Sequence, residues 1–233
     1  ERSSIEASRI TFNAAISACA RDNEWTKALE LLSDMVRRSL QMDVITYNAA
    51  ISVCEKGGGW SEALSIFSSM ARRSVQTSTT TFNAAISACE KGCEWAKALE
   101  LLSHMLRSRL EQNTITYNAL LSACEKGGEW TKALELLGMM VRTRVEMSTI
   151  TYNAAISACE KGGEWTRALE LLSDMLRSTV EANAITHNAL ISACEKRGEW
   201  TKALELLSRM ARGSIEASTI TYNAAISACE KSV

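Results

Sequence analysis

Seven asparagines recur every 35 residues in this chain of 233 residues. They are Asn13, Asn48, Asn83, Asn118, Asn153, Asn188 and Asn223. An asparagine amide carries two N–H donors and a carbonyl acceptor, so such a row can pair with the polar edge of a ligand. Asparagine is also a poor helix former, so its recurrence in a helical pattern needs a reason. The alternative is a structural ladder, in which each asparagine bonds the backbone of its neighbour near a helix start.

Positive charge recurs with the same period. One basic row comprises Arg21, Lys56, Lys91, Lys126, Lys161, Lys196 and Lys231, and a second comprises Arg37, Arg72, Arg107, Arg142, Arg177 and Arg212. Aligned cations can follow a phosphate backbone. However, a glutamate directly precedes six of the seven residues in the first row, and arginines near helix ends also complement the helix dipole. The first row therefore fits either weak phosphate contact or structural pairing, and we interpret the arginine row as structural.

The sequence does not indicate catalysis. His104 and His187 occupy unrelated repeat positions, and no nucleophile, paired carboxylate or phosphate-cradling loop accompanies them. We therefore expect no enzyme activity, no small-molecule substrate and no cofactor. The net charge of −1 provides no global basic field, and no stretch approaches the roughly 18 apolar residues of a membrane span.

Seven of the eight cysteines occupy one repeat position. They are Cys19, Cys54, Cys89, Cys124, Cys159, Cys194 and Cys229, whereas Cys93 lies in a turn. Equivalent helices of stacked repeats lie about 8–10 Å apart, beyond the roughly 7 Å between Cα atoms that a disulfide tolerates. The spacing also fits no zinc motif, so we expect no metal site. We predict that the seven are buried small hydrophobes.

A fixed period of this length indicates a stacked repeat array. Threonine recurs at Thr11, Thr46, Thr81, Thr116, Thr151, Thr186 and Thr221, and tryptophan at Trp25, Trp60, Trp95, Trp130, Trp165 and Trp200. We divide the chain into full repeats 9–43, 44–78, 79–113, 114–148, 149–183 and 184–218, with partial repeats 1–8 and 219–233. Because both ends fall inside repeats, we expect a fragment of a longer array.

Each unit is predicted to form two helices. In the unit from Thr149, Tyr152, Ile156 and Cys159 follow the spacing of one amphipathic face, and Gly162-Gly163 is predicted to end that helix.

A second helix is predicted to begin at Glu164 or Trp165. Its apolar stripe comprises Trp165, Ala168, Leu169, Leu172, Met175 and Leu176. We assign the tryptophan and methionine stripes to the core. Two such helices cannot bury these faces alone, so the predicted fold class is all-α, a solenoid of stacked antiparallel helix pairs.

These motifs resemble the pentatricopeptide repeat (PPR) family. The resemblance rests on the (V/T)-I-T-Y-N opening, the glycine-containing turn, the A-L-E-L-L second helix and the methionine six residues beyond its first leucine. Uniform 35-residue units resemble P-type arrays. The resemblance implies a right-handed solenoid whose first helices line the inner surface. It also implies binding of single-stranded RNA with one nucleotide per repeat.

The resemblance further implies which residues touch RNA. The fifth and last residues of each repeat would read the base edge, and the second would pack on the base. The fifth residues are the asparagines above, and the last residues are Asp43, Ser78, Asn113, Ser148, Asn183 and Ser218. The second residues are Ile10, Ile45, Thr80, Ile115, Ile150, Ile185 and Ile220, of which polar Thr80 departs from the pattern. The family's usual proline before the last residue is absent, which suggests a looser loop.

In the family's approximate code, Asn with Asp prefers U, Asn with Ser prefers C, and Asn with Asn accepts a pyrimidine. Six repeats then read 5′-U-C-Y-C-Y-C-3′. We therefore expect sequence-selective binding of pyrimidine-rich RNA in organellar RNA processing, stability or translation, in a mitochondrion or chloroplast. The alternative is a scaffold that binds protein subunits of a large organellar assembly, such as a ribosome or a membrane-associated complex.

Overall fold

The computed structural model of the chain describes residues 8–20 and 24–231. Regular secondary structure in these ranges is entirely helical. The helices are α1 Arg9–Cys19, α2 Trp25–Arg37, α3 Val44–Lys56, α4 Trp60–Arg72, α5 Thr79–Lys91, α6 Trp95–Arg107, α7 Thr114–Gly127, α8 Trp130–Thr143, α9 Thr149–Gly162, α10 Trp165–Arg177, α11 Ala184–Arg197, α12 Trp200–Arg212 and α13 Thr219–Glu230. The all-α helix-pair fold is confirmed. Most of the partial repeat 1–8 and Arg21 lie outside the described residues.

The chain forms two compact units that divide between Gln112 and Asn113. Inside each unit, the first helices of neighbouring repeats contact one another, as α3 and α5 do, and α9 and α11. Each second helix contacts its own first helix, and inside a unit it also contacts the first helix of the following repeat. Among the described residues the backbones of the second helices do not approach one another, although side chains meet, as Lys97 of α6 does with the Trp60 ring of α4 at 5.1 Å. Within each unit the first helices therefore form one layer, and the core lies between this layer and the second helices.

Two turn geometries delimit the helix pairs. The turn inside a repeat contains a residue with positive φ, as at Gly163 (74°), where glycine meets no steric penalty. The loop between repeats begins with a non-glycine residue in the same region, for example Thr179 at 58°. There the Val180 N–H donates to the Met175 carbonyl at 3.0 Å, which is the six-to-one bond of a Schellman motif. The equivalent hydrogen bond is present in every described loop between repeats.

The core follows the first-helix prediction closely. Tyr152, Ile156 and Cys159 are buried, as are Ala168 and Met175 of the second helix. Burial raises the pKa of the thiols of Cys54, Cys124, Cys159 and Cys194 to about 11 and that of Cys89 to about 12. These five thiols stay protonated at neutral pH and pack as small apolar groups, as expected. Cys19 and Cys229 are only partly buried, and Cys93 is exposed.

The tryptophan prediction is wrong. Trp165 is only half-buried and Trp200 is 44% exposed. Leu176 is also exposed, and Leu171, outside the predicted stripe, is buried instead. Three tryptophans, Trp25, Trp60 and Trp130, lie against glycines of the following repeat: a Cβ added to Gly92 would lie 2.6 Å from the Trp60 ring. The next second helix reaches that ring with one flexible side chain, Lys97, whose Nζ lies 5.1 Å from the ring centre.

His187 stands where other repeats carry tyrosine or phenylalanine and is 2% exposed. Its Nδ1 lies 3.0 Å from the Asn183 carbonyl oxygen, so the ring fills the aromatic site, as predicted for a packing substitution. No helix within the described ranges combines the length and apolar character needed to cross a bilayer.

The ring-on-glycine contact generates a stability prediction. A Cβ at Gly162 would overlap the indole of Trp130, so Gly162→Ala should destabilise the chain by about 1–3 kcal/mol, the usual cost of overpacking. Denaturant unfolding followed by circular dichroism measures this change. Gly138→Ala is the matched control, because its Cβ would meet only Arg142 Nη1 at 3.7 Å inside α8. The control should stabilise by about 0.5–1 kcal/mol. Equal effects of the two substitutions would contradict the contact.

Candidate functional site

The asparagine row is held by the threonine row. In each described pair, the threonine hydroxyl of one repeat donates to the Oδ1 of the asparagine in the preceding repeat. The bonds are Thr46 to Asn13, Thr81 to Asn48 and Thr151 to Asn118 at 2.7 Å, and Thr186 to Asn153 and Thr221 to Asn188 at 2.6 Å. These threonines are at most 1% exposed. The asparagines therefore do form a structural ladder from repeat to repeat. Each one bonds a threonine hydroxyl of the next repeat and not, as the sequence suggested, a backbone group.

The last residue of each repeat is the N-cap of the next first helix. In a capping box, Ser148 accepts from the Thr151 N–H at 3.4 Å, and Thr151 Oγ1 accepts from the Ser148 N–H at 3.0 Å. Capping boxes recur at Asp43, Ser78, Asn113, Asn183 and Ser218. The fold thus brings the fifth and last residues of a repeat onto one threonine. We call each such set of asparagine, N-cap residue and threonine a triad.

Within two triads the asparagine also bonds the N-cap residue. Asn153 Nδ2 donates to Asn183 Oδ1 at 3.3 Å, and the Asn13 amide donates to the Asp43 carboxylate. Burial acts to raise the pKa of Asp43, but hydrogen bonds from Thr46 and the charge of Arg9 outweigh it and lower that pKa. Arg9 Nε lies 3.3 Å from Asp43 Oδ2. The two residues predicted to read one base therefore lie side by side.

An exposed apolar row accompanies the triads. The second-position isoleucines Ile10, Ile45, Ile115, Ile150, Ile185 and Ile220 are 61–77% exposed. Each belongs to the first turn of its helix, three residues before the asparagine of the same repeat. Thr80, which takes this place in the third repeat, is exposed as well. Apolar side chains kept in water at one repeated position mark a surface suited to contact with flat apolar groups.

The loop that carries the last residue is held without proline. The Schellman hydrogen bond holds the first residues of the loop. In three repeats the threonine at the first position donates to a carbonyl near the end of the loop. Thr79, Thr114 and Thr149 donate to the carbonyls of Glu111, Glu146 and Glu181 at 3.0–3.2 Å. These bonds, together with the capping box, fix the position of the N-cap side chain. The looser loop suggested by the missing proline is therefore not what these repeats show.

The lysine row is engaged in ion pairs between repeats. Lys161 Nζ lies 3.0 Å from Glu125 Oε1, and Lys91, Lys196 and Lys231 reach the corresponding glutamates at 2.7 Å. In three repeats a serine also donates to the glutamate, as Ser192 does to Glu160 at 3.1 Å. The first repeat has Ala20 in place of this glutamate, so exposed Lys56 lacks the pair. The partner glutamate belongs to the preceding repeat, not to the same one.

The arginine row lies at the C-terminal ends of the second helices, in the last turn of each. Arg37 and Arg177 pair with Asp34 and Asp174 one turn earlier, which supports a structural role there. No group of three metal-binding side chains occurs in the part of the chain that the structure describes.

The sequence predicts site residues at the asparagine, isoleucine and N-cap positions, but it does not predict that the threonines bond them. A signal was available, because the threonine period matches the asparagine period. The triads offer amide donors with hydroxyl, amide or carboxylate groups, and the second-position isoleucines offer apolar side chains beside them. This combination suits a planar ligand with a polar edge.

Two family profiles cover nearly the whole chain. The profile described as the pentacotripeptide-repeat region of PRORP matches residues 1–190, and the PPR repeat family profile matches residues 183–231. No curated protein sequence matches the chain significantly.

Solved structures with the same fold come from the same group of proteins. The pentatricopeptide repeat protein PPR10 from maize is 25% identical over 96% of this chain, with a TM-score of 0.58. The PPR domain of Arabidopsis thaliana protein-only RNase P 1, solved in complex with tRNA, is 17% identical over 77% of this chain and 95% of its own, with a TM-score of 0.68. The chain spans only 37% of the PPR10 structure. With one profile matching most of its length, the chain belongs to the pentatricopeptide repeat family.

Proposed function

We propose that the chain is a sequence-selective array that binds single-stranded RNA, reads one base per repeat and prefers pyrimidines. One observation carries this proposal. The exposed second-position side chain of a repeat lies one helical turn from the asparagine of the same repeat, and that asparagine belongs to a triad. Similar structures hold RNA: PPR10 was solved with an 18-nt psaJ RNA element and the RNase P 1 domain with tRNA. We propose that this chain acts in organellar RNA processing, stability or translation, in a mitochondrion or chloroplast, and that this segment is not catalytic.

The isoleucines supply the sequence-independent part of binding. A base that packs against Ile150 removes apolar surface of both partners from water, and base contacts of this kind contribute about 1–3 kcal/mol each when the platform is aromatic. An aliphatic side chain buries less area, so about 1 kcal/mol per base is a reasonable share. Six such contacts in series hold an RNA strand without selecting its sequence.

The triads supply the selection. The asparagine Oδ1 is taken by the threonine, so the amide Nδ2 is the group left to meet a base edge. The N-cap residue beside it differs between repeats and adds a carboxylate, an amide or a hydroxyl. A uracil N3–H needs an acceptor, which Asp43 offers, whereas the acceptor N3 of cytosine needs a donor, which the Ser148 hydroxyl offers. The proposed tract is therefore 5′-U-C-Y-C-Y-C-3′ from the first full repeat onward.

We further propose weak phosphate contacts by Arg21, Lys56, Lys91, Lys126, Lys161 and Lys196. Arg21 lies outside the described residues. The lysines are bound to glutamates in most repeats, so a phosphate would share the ammonium group with a carboxylate. Lys56, which lacks the glutamate, is the position where such a contact costs least.

A protein-binding scaffold is the second candidate. The inter-repeat ion pairs favour it, because they neutralise the row that would otherwise attract phosphates. The same exposed isoleucines would then meet an apolar protein surface. Discrimination between RNA sequences separates the two functions, since a scaffold has no reason to distinguish pyrimidines from purines.

The first test is the base preference itself. Fluorescence anisotropy titrations should rank an RNA containing UCCCCC well above an all-purine hexamer in identical flanks, by roughly a hundredfold or more if several bases each contribute about 1 kcal/mol. Equal affinity for the two RNAs would contradict base reading and favour the protein-binding scaffold.

A single substitution tests the assignment of one base to one repeat. Ser148→Asp should shift the preference at the fourth base from C to U, because the carboxylate replaces a donor with an acceptor. Aspartate is as good an N-cap as serine, so the fold is retained. Ser78→Asp is the matched control and should shift only the second base. A shift at any other base, measured with single-base variants of the RNA, would contradict the register.

The lysines are tested by salt dependence. If Lys91, Lys126 and Lys161 touch phosphates, changing all three to Ala should lower the slope of log K against log salt by about 2, at about 0.7 per contact on single strands. The control changes Lys97, Lys132 and Lys202 of the second helices, which removes the same charge elsewhere and should leave the slope unchanged. Identical slopes for both triple variants would assign the first row to the ion pairs alone.

A further inference from the structure

Thr151 Oγ1 has one proton, and two side-chain oxygens lie within its reach: Asn118 Oδ1 at 2.7 Å and Ser148 Oγ at 3.1 Å. The serine hydroxyl can itself donate, whereas an amide oxygen can only accept, so the threonine proton belongs to the shorter contact. Thr151 Oγ1 accepts from the Ser148 N–H at 3.0 Å and lies 2.7 Å from Asn118 Oδ1. A separation of 2.6–2.7 Å is typical of O–H···O bonds, whereas N–H···O bonds centre near 2.9–3.0 Å. The hydroxyl therefore meets the amide oxygen. Thr151 is fully buried, so no water competes for this bond.

In two triads the N-cap residue independently fixes the same amide direction. Asn183 Oδ1 accepts from the Thr186 N–H at 3.1 Å, so the Asn153 atom that meets it is the donor Nδ2. The Asp43 carboxylate likewise accepts from the Asn13 amide. In these repeats two partners hold the asparagine, one at each end of its amide.

The serine triads differ at this point. A serine hydroxyl both donates and accepts, so Ser148 sets no direction for the Asn118 amide. Among the contacts of Asn118 that the structure describes, the bond from Thr151 is the one that distinguishes oxygen from nitrogen. The Asn48 and Asn188 amides have the same arrangement, with Thr81 and Thr221.

We propose that Thr81, Thr151 and Thr221 are positioning residues for base specificity, and this rests on the proposed function. Each holds the asparagine of the preceding repeat with its nitrogen toward the base, so that the repeat presents a donor. Without the hydroxyl, the amide can turn by 180° and present its oxygen instead. A repeat that presents either group accepts bases with either pattern, so its selectivity is lost while its packing contact remains.

The experiment uses Thr151→Val, which keeps the side-chain shape and removes the hydroxyl. Titrations with RNAs containing UCCCCC and UCCGCC measure discrimination at the fourth base, because guanine carries an N1–H donor where cytosine has its N3 acceptor. This discrimination should fall about tenfold, the effect of losing one well-aligned hydrogen bond. Discrimination at the other bases, measured with a single guanine placed at each in turn, should remain. Thr151→Ser, which keeps the hydroxyl, should restore discrimination at the fourth base.

Thr186→Val is the matched control. It removes an equally buried hydroxyl from an equivalent capping box, but the Asn183 oxygen still holds the Asn153 amide. Discrimination at the fifth base should therefore change less than twofold. Should Thr151→Val fail to fold, as circular dichroism would show, Thr221→Val tests the sixth base in the last helix.

The outcomes are distinct. Wild-type protein that does not distinguish UCCCCC from UCCGCC overturns the proposed function, and this inference with it. Wild-type discrimination that survives in Thr151→Val overturns the inference alone. A loss of affinity for all RNAs by one factor assigns the threonine to stability only, which also overturns it.

Discussion

The buried threonine hydroxyl is the interaction on which the array depends. It accepts from the N-cap backbone of its own helix and donates to the asparagine of the preceding repeat, so one atom both starts a helix and joins two repeats. An unpaired hydroxyl in the core would cost about 1–3 kcal/mol, so the buried threonine depends on these partners. This requirement fixes the spacing of asparagine, N-cap residue and threonine. The 35-residue period is thus maintained by hydrogen-bond geometry as well as by core packing.

The fold was largely predictable because each unit contains its own signals. Gly162-Gly163 predicts a helix end, and α9 ends at Gly162 with Gly163 at positive φ. The tryptophans could not be placed from periodicity alone. An apolar stripe shows which face turns toward a neighbour, but not whether the neighbour covers it. The backbones of the described second helices do not pack on one another, so Trp165 and Leu176 keep part of their surface in water, whereas Leu171 is buried.

The candidate site was predictable as a row, but its internal bonding was not. Asn118 and Thr151 are 33 residues apart, and only stacking brings them within 2.7 Å. The lysine row shows the same limit. The sequence suggested the glutamate next to each lysine, whereas Lys161 binds Glu125 of the preceding repeat. In both cases the relevant partner is defined by the repeat stack, which sequence spacing describes only after the helix register is known.

Preorganisation explains how a chain with a net charge of only −1 could support selective binding. Binding normally orders side chains at a cost of about 0.5–1.5 kcal/mol each. Here the threonine already holds the asparagine, the capping box holds the last residue, and the Schellman bond holds the loop between them. The groups that would face a base are therefore set before any ligand arrives. The ion pairs of Lys161 and its equivalents stabilise the stack instead of adding long-range attraction. Such a surface favours the ligand whose hydrogen-bonding pattern matches it, and it gains little from ligands that offer negative charge alone.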